Sequence, residues 1–190
     1  MQRAEGPRSS ALPISAGPDQ RPTAVAGLVT SCQKGKEQSM STYYFVPSRN
    51  VFGEGSVEET GHLIKSIGGT KAMIVTDAFL AANPMTARIQ KILADAGVQS
   101  AVFGKAEPNP KDTNVVEGEQ FYHENECDCI LSLGGGSSHD CAKGIGLVAT
   151  NGGKISDYEG VDQAHEALPP LVAVNTTAGT ASEITRFCII

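Results

Sequence analysis

A chain of 190 residues has room for one domain and a remnant, since domains commonly run to about 100–200 residues. Its formal net charge of −6 disfavours a nucleic-acid binder, whose affinity rests on Lys and Arg neutralising phosphates. No apolar run approaches the roughly 18 residues of a bilayer span, and five cysteines, with Cys127 and Cys129 too close for a zinc knuckle, read as reduced thiols of a soluble cytoplasmic protein.

Residues 1–39 scatter their apolar side chains among Pro, Gly and Ser, without the continuous core of a secretory signal, and are expected to be a disordered extension. Ordered patterning begins directly after Met40. Lys36 and Glu37 are residues that a purine-rich ribosome-binding sequence upstream of Met40 would encode, and on that reading the extension is translated leader and not native. The remainder, 40–190, is expected to form one α/β domain.

Two short β-prone runs, Tyr43 to Val46 and Asn50 to Phe52, flank Pro47 and Ser48 and predict an opening hairpin. Ser56 with Glu59 three residues on has capping-box spacing and predicts a helix to about Ile67, stopped by Gly68 and Gly69. Ala72 to Val75 is a wholly apolar run of the kind buried on both faces of a parallel sheet. A helix with Ile89, Ile92, Leu93 and Ala96 as its apolar stripe follows, then a strand over Val98 to Phe103.

Glu107 to Pro110 is a rigid turn, and Thr113 to about Glu124 reads as a helix with Val116 and Gln120 on successive turns. Cys129 to Leu133 is the next strand, and Ser137 opens a helix to about Thr150. A polar loop with one short turn leads to a last buried strand, Leu171 to Val174. Strands alternating with helices at this spacing imply a doubly wound, mostly parallel, Rossmann-like sheet, which binds ligands at the carboxyl ends of its strands.

Gly134, Gly135 and Gly136 join a buried strand to a helix, so that backbone amides and the positive end of the helix dipole face outward, as a pyrophosphate requires. An ordinary tight turn has the same composition, and His139 stands where the dinucleotide fingerprint would have its last glycine. Lys143 lies too far inside the helix for a triphosphate-binding loop. Asp140, read as a carboxylate in the first helical turn, must turn away from a pyrophosphate or be paired. Asp77, at the mouth of a strand, has the placement of the acid that holds an adenosine ribose and repels a 2′-phosphate, which favours NAD over NADP; a turn carboxylate without a ligand would sit there too. Thr176, Thr177 and Thr180, around Gly179, offer hydroxyls at another strand end, or simply a polar turn. His62, His123 and His165 lack metal-binding spacing and read as structural, whereas His139 sits in the cradle itself.

The run from Gly134 through Ser137, Ser138, His139 and Asp140 to Lys143, and the run from Asn175 to Thr185, resemble signature segments of the iron-containing, or group III, alcohol dehydrogenases. The turn Glu107 to Pro110, the strand end Val75 to Asp77 and the segment Asn151 to Gly160 agree in order, and within the family the likeness is nearest to the NAD-dependent methanol and 1,3-propanediol dehydrogenases. The resemblance runs from about Tyr43 to Ile190. It implies that Asp77 holds the adenosine ribose, that Asn109 contacts the adenosine side and that Gly135 to His139 cradle the pyrophosphate. Thr176, Thr177, Thr180 and Thr185 would line the nicotinamide half, with Asp140 and Lys143 in the same motif.

By the same resemblance, complete members are about twice as long and carry a second, all-helical domain whose three histidines, with an aspartate just beyond the sheet, bind Fe²⁺ or Zn²⁺ to polarise a small alcohol or aldehyde. All four ligands are expected after Ile190, so the chain is expected to be the cofactor-binding portion, inactive by itself, of an enzyme that is homo-oligomeric when complete. A catalytically dead NAD-binding remnant or a self-associating module would carry the same residues. Glycerol dehydrogenase or dehydroquinate synthase, on a related fold, is disfavoured by the Asn175 to Thr185 run.

Overall fold

The computed structural model describes residues 49–160, 163–185 and 187–190, all within a unit spanning Ser41–Ile190. Four parallel strands form one sheet: β1 (Lys71–Val75), β2 (Gln99–Phe103), β3 (Cys129–Gly134) and β4 (Leu171–Asn175), in the order β2-β1-β3-β4. β1 pairs with β2 from Lys71 opposite Gln99 to Val75 opposite Phe103, and with β3 from Ala72 opposite Cys129 to Val75 opposite Ser132. β4 lies on the far side of β3, with Gly134 opposite Asn175 at the carboxyl end.

Both faces of the sheet are covered, which is why β1 from Ala72 reads as an apolar run and β3 as one interrupted only by Ser132. Ile74 and Ala72 of β1 and Leu131 and Leu133 of β3 point to one side, where α1 (Thr60–Ser66) and α3 (Pro84–Asp95) supply Ile64, Ile89 and Leu93. Met73, Val75 and Ile130 point to the other, against Val115 of α4 (Asp112–Glu124) and Ile145 of α5 (Gly136–Asn151). Each such fully buried side chain contributes about 1.5–3 kcal/mol. Two close approaches depend on missing side chains: a Cβ on Gly61 would lie 2.7 Å from the Ile92 carbonyl of α3, and one on Gly118 of α4 would overlap Ile145 of α5.

The expected strands and helices from β1 onward are present, with boundaries moved by one or two residues. Two expectations need correction, at Ser56 and at Asn50 to Phe52. Ser56 caps no helix: Ser56–Glu59 is a 3-10 turn entered from Gly55 at φ 80°, and α1 starts only at Thr60, whose hydroxyl donates to the Val57 carbonyl at 2.6 Å. Val116 is 55% exposed, because the buried face of α4 is Asn114, Val115, Gly118 and Tyr122. Asn50 to Phe52 forms no strand and leaves Phe52 exposed, while Tyr43 to Val46, its expected partner in a hairpin, lies outside the described residues, as does the extension 1–39. Ahead of α3 a single turn, α2 (Ala78–Ala81), was not expected; Asp77 caps it, accepting the Leu80 amide at 2.8 Å.

Candidate functional site

The strand order places β1 between the second and third strands, so the chain leaves β1 and β3 toward opposite sides of the sheet. The crevice at such a switch point, at the carboxyl ends of these two strands, is where open α/β sheets take ligands. Asp77 follows β1, and the glycines end β3.

Gly134 has φ 146°, a backbone conformation that a side chain would strain. Gly135 is the N-cap and Gly136 the first residue of α5, whose first bond runs from the His139 amide to the Gly135 carbonyl at 3.2 Å. No side chain caps this end, so the amides of Gly136, Ser137 and Ser138 have no helical partner and the helix dipole ends on them. The Thr176 amide donates to the Gly134 carbonyl at 2.9 Å and brings the threonine loop alongside. There a Cβ on Gly135 would stand 2.6 Å from the Thr177 hydroxyl and one on Gly136 2.5 Å from that of Thr180. The glycines therefore serve a second purpose, close approach of the threonine loop. A cleft of about 260 Å³ lies beside Phe103 and Phe121, and one of about 240 Å³ is lined by His139, Lys143, Leu171, Ser182 and Thr185.

On the opposite rim, Asn109 adopts φ 54° and its amide donates to the Ser137 hydroxyl at 3.4 Å. Asn114, which drew no attention in the sequence, braces this turn: its amide group donates to the Lys105 carbonyl at 3.1 Å, and its oxygen accepts the Lys111 amide at 2.8 Å. Asp77 uses one oxygen as the cap of α2 and remains partly exposed. At the end of β1 the Thr76 hydroxyl is fully buried without a hydrogen-bond partner, the one such side-chain atom among the described residues.

Three predicted site residues face inward instead. His139 is 1% exposed, with Nδ1 2.7 Å from the Ser132 hydroxyl and Nε2 2.8 Å from the Asn175 side-chain oxygen. Burial pushes its pKa below the ordinary value, against smaller upward pulls from Asn175, Glu183 and Asp140. Asp140 is not in the first turn, since α5 begins four residues earlier; it is buried and paired with Lys143 at 3.1 Å. Lys143 Nζ also donates to the carbonyls of Ser182 at 2.9 Å, Thr185 at 3.3 Å and Phe187, and lies 3.4 Å from the Thr185 hydroxyl. Asp140 and Lys143 thus clamp the segment after the threonine loop onto α5. Thr185 belongs to that clamp, apart from Thr176, Thr177 and Thr180, which gather at the glycines. Ser132, missed earlier, left a signal: a hydroxyl within an otherwise apolar buried strand needs a partner. Among the described residues no three His, Cys, Asp or Glu side chains gather as metal ligands, and Cys127, Cys129, Cys141 and Cys188 are free.

The chain spans about 40% of the length of the proteins it matches. It is 48% identical over 149 residues to the NAD-dependent methanol dehydrogenase of Bacillus methanolicus, covering 78% of this chain and 39% of that one. The crystal structure of a 1,3-propanediol oxidoreductase superposes with a TM-score of 0.74 at 46% identity, over 77% of this chain and 38% of the other. Sulfoacetaldehyde reductase from Bifidobacterium kashiwanohense, solved in complex with NAD⁺, superposes with a TM-score of 0.66 at 30% identity, over 77% and 39%. The profile of the iron-containing alcohol dehydrogenases matches residues 47–190. With its fold, its glycine and threonine loops and nearly all of its described residues inside that match, the chain belongs to the iron-containing alcohol dehydrogenase family.

Proposed function

We propose that residues 40–190 are the NAD-binding domain of an alcohol dehydrogenase that interconverts small primary alcohols and aldehydes in the cytoplasm. One observation carries this reading: the uncapped first turn of α5 opens at the β1/β3 switch point between Asp77 and the threonine loop. The amides of Gly136, Ser137 and Ser138 suit a pyrophosphate, and a side chain on Gly135 or Gly136 would drive the threonine hydroxyls off them. The free oxygen of Asp77 suits the ribose hydroxyls and repels a 2′-phosphate, so NAD is preferred to NADP. Asn109 closes the adenosine side; Thr176, Thr177 and Thr180 line the way to the nicotinamide, and Thr185, held by Lys143, stands further along the same segment.

When bound, NAD supplies the hydride acceptor. The part of this chain is to bind and orient it, through amides and hydroxyls fixed before the ligand arrives. The described residues do not fit a metal site; the Fe²⁺ or Zn²⁺ ligands are proposed to reside in the portion of the relatives that this chain does not span, as are the alcohol pocket and the contacts of a homo-oligomer.

Titration calorimetry of the 190-residue chain with NAD⁺, ADP-ribose and NADP⁺ tests the reading. Heat of binding is expected with the first two and at least about tenfold weaker affinity for NADP⁺. Replacing Gly135 by Val should abolish the signal. Equal affinity for NADP⁺, or no heat from a well-folded chain, would falsify the assignment.

A further inference from the structure

His139 joins three elements that the proposed cofactor site needs in fixed relation. It lies in the first turn of α5, just behind the amides offered to the pyrophosphate. Ser132, its partner at Nδ1, is fully buried in the middle of β3, two residues before Gly134. Asn175, its partner at Nε2, ends β4 immediately before the threonine loop and is paired in register with Gly134. Because Asn175 presents its oxygen, Nε2 carries the proton and donates; Nδ1 is then the acceptor for the Ser132 hydroxyl. The imidazole is neutral and both its nitrogens are used, so it has no ring atom left to offer a ligand. A side chain that could simply have filled the space between helix and sheet instead supplies a donor and an acceptor about as far apart as a ring allows.

We infer that His139 is a positioning residue, a neutral strut that couples the glycine loop to the threonine loop and so holds the pyrophosphate-facing and nicotinamide-facing groups in register. This rests on the NAD-binding reading for its functional consequence, though not for the coupling itself. The charged groups facing the ring are Asp140 and Lys143 of its own helix, which are paired with each other, and Glu183 of the segment after the threonine loop. Lys143 grips that segment further along, at Ser182 and Thr185, so His139 is the tie at the loop's beginning and Lys143 the tie beyond its end.

Three substitutions separate hydrogen bonding from packing. His139→Gln keeps a donor near the Nε2 position, His139→Asn keeps only an acceptor near Nδ1, and His139→Met fills comparable space with neither. On the 190-residue chain, amide hydrogen exchange of the segment from Asn175 to Thr180 and NAD⁺ affinity are measured side by side. His139→Gln is expected to exchange like the parent and to bind NAD⁺ within about threefold, whereas the Asn and Met variants should exchange that segment about tenfold faster or more, with β1 unchanged, and bind about tenfold more weakly. Should the histidine variants fail to fold, Asn175→Ala at the exposed strand end is expected to give the same faster exchange and Asn175→Asp, which keeps the acceptor, to restore it. If the Met variant matches the parent in exchange, or the Gln variant is as damaged as Met, the strut is overturned whatever NAD⁺ does. If exchange follows the strut while the parent binds no NAD⁺, the coupling stands and the nucleotide reading falls.

Discussion

Polar side chains around the start of α5 divide by burial: His139, Asp140 and Lys143 are buried, whereas Thr176, Thr177 and Thr180 are exposed. The ring of His139 is buried and its pKa lies below the usual 6.5, so an unfolded chain binds a proton there before the folded one does. Its contribution to stability is therefore complete above the unfolded value and is lost as pH falls below it toward the lower folded value. Denaturation followed from pH 7.5 down to about 5.5 should show a steeper loss for the parent than for His139→Gln, and parallel slopes would contradict the assignment. The Thr76 hydroxyl is the opposite case, buried and unpartnered. Thr76→Val removes an unsatisfied oxygen at nearly constant shape and is expected to raise stability by about 1 kcal/mol in urea titrations. A loss instead would mean that the hydroxyl has found a partner in solution.

At the level of elements, close packing decides where helices can sit. α4 and α5 share a face of the sheet, and their approach depends on Gly118 leaving space for Ile145. Gly118→Val must push that side chain or the helix itself aside, an overpacking expected to cost about 1–3 kcal/mol, read as a lower urea midpoint with an unchanged slope. α5 cannot move freely in response, because His139 ties its first turn to β3 and β4 and Lys143 ties its second to the chain after β4. The variant should therefore also weaken NAD⁺ binding, in proportion to any displacement of the first turn. An unaltered affinity with a lowered midpoint would place the strain wholly on the α4 side.

The whole molecule presents a net charge of −6 together with several large exposed apolar side chains. Phe79 is 77% exposed, Phe187 51% and Ile189 75%, while β2 and β4 form the two edges of the four-stranded sheet. Strand edges left unpaired among the described residues and exposed apolar side chains together favour association. Sedimentation velocity of the 190-residue chain is expected to show a weight-average mass that rises with concentration; a single monomeric boundary throughout would refute this. None of the described helices is long and apolar enough to cross a membrane.

The strands and the longer helices from β1 to β4 were legible in the sequence, though the single turn α2 was not, because runs buried on both faces and amphipathic helices follow from local periodicity. The sequence also marked the glycine loop and Asp77, since a backbone turn and a strand end are local events. It misjudged the start of α1, where Gly55 in a left-handed conformation starts a 3-10 turn that no capping pattern reports, and it left the buried face of α4 unassigned, because the weak apolar stripe runs through Asn114 and Gly118. Which of the clustered polar residues are buried against the protein is fixed by non-local packing. His139 and Lys143 stand in the same decapeptide as the glycine loop, yet Asn175, Ser182 and Phe187, which they hold, lie 36 to 44 residues further along the chain, and such distant contacts leave no periodic trace. The strand order, which sets the switch point between β1 and β3, is likewise a property of non-local pairing and not of any segment's composition.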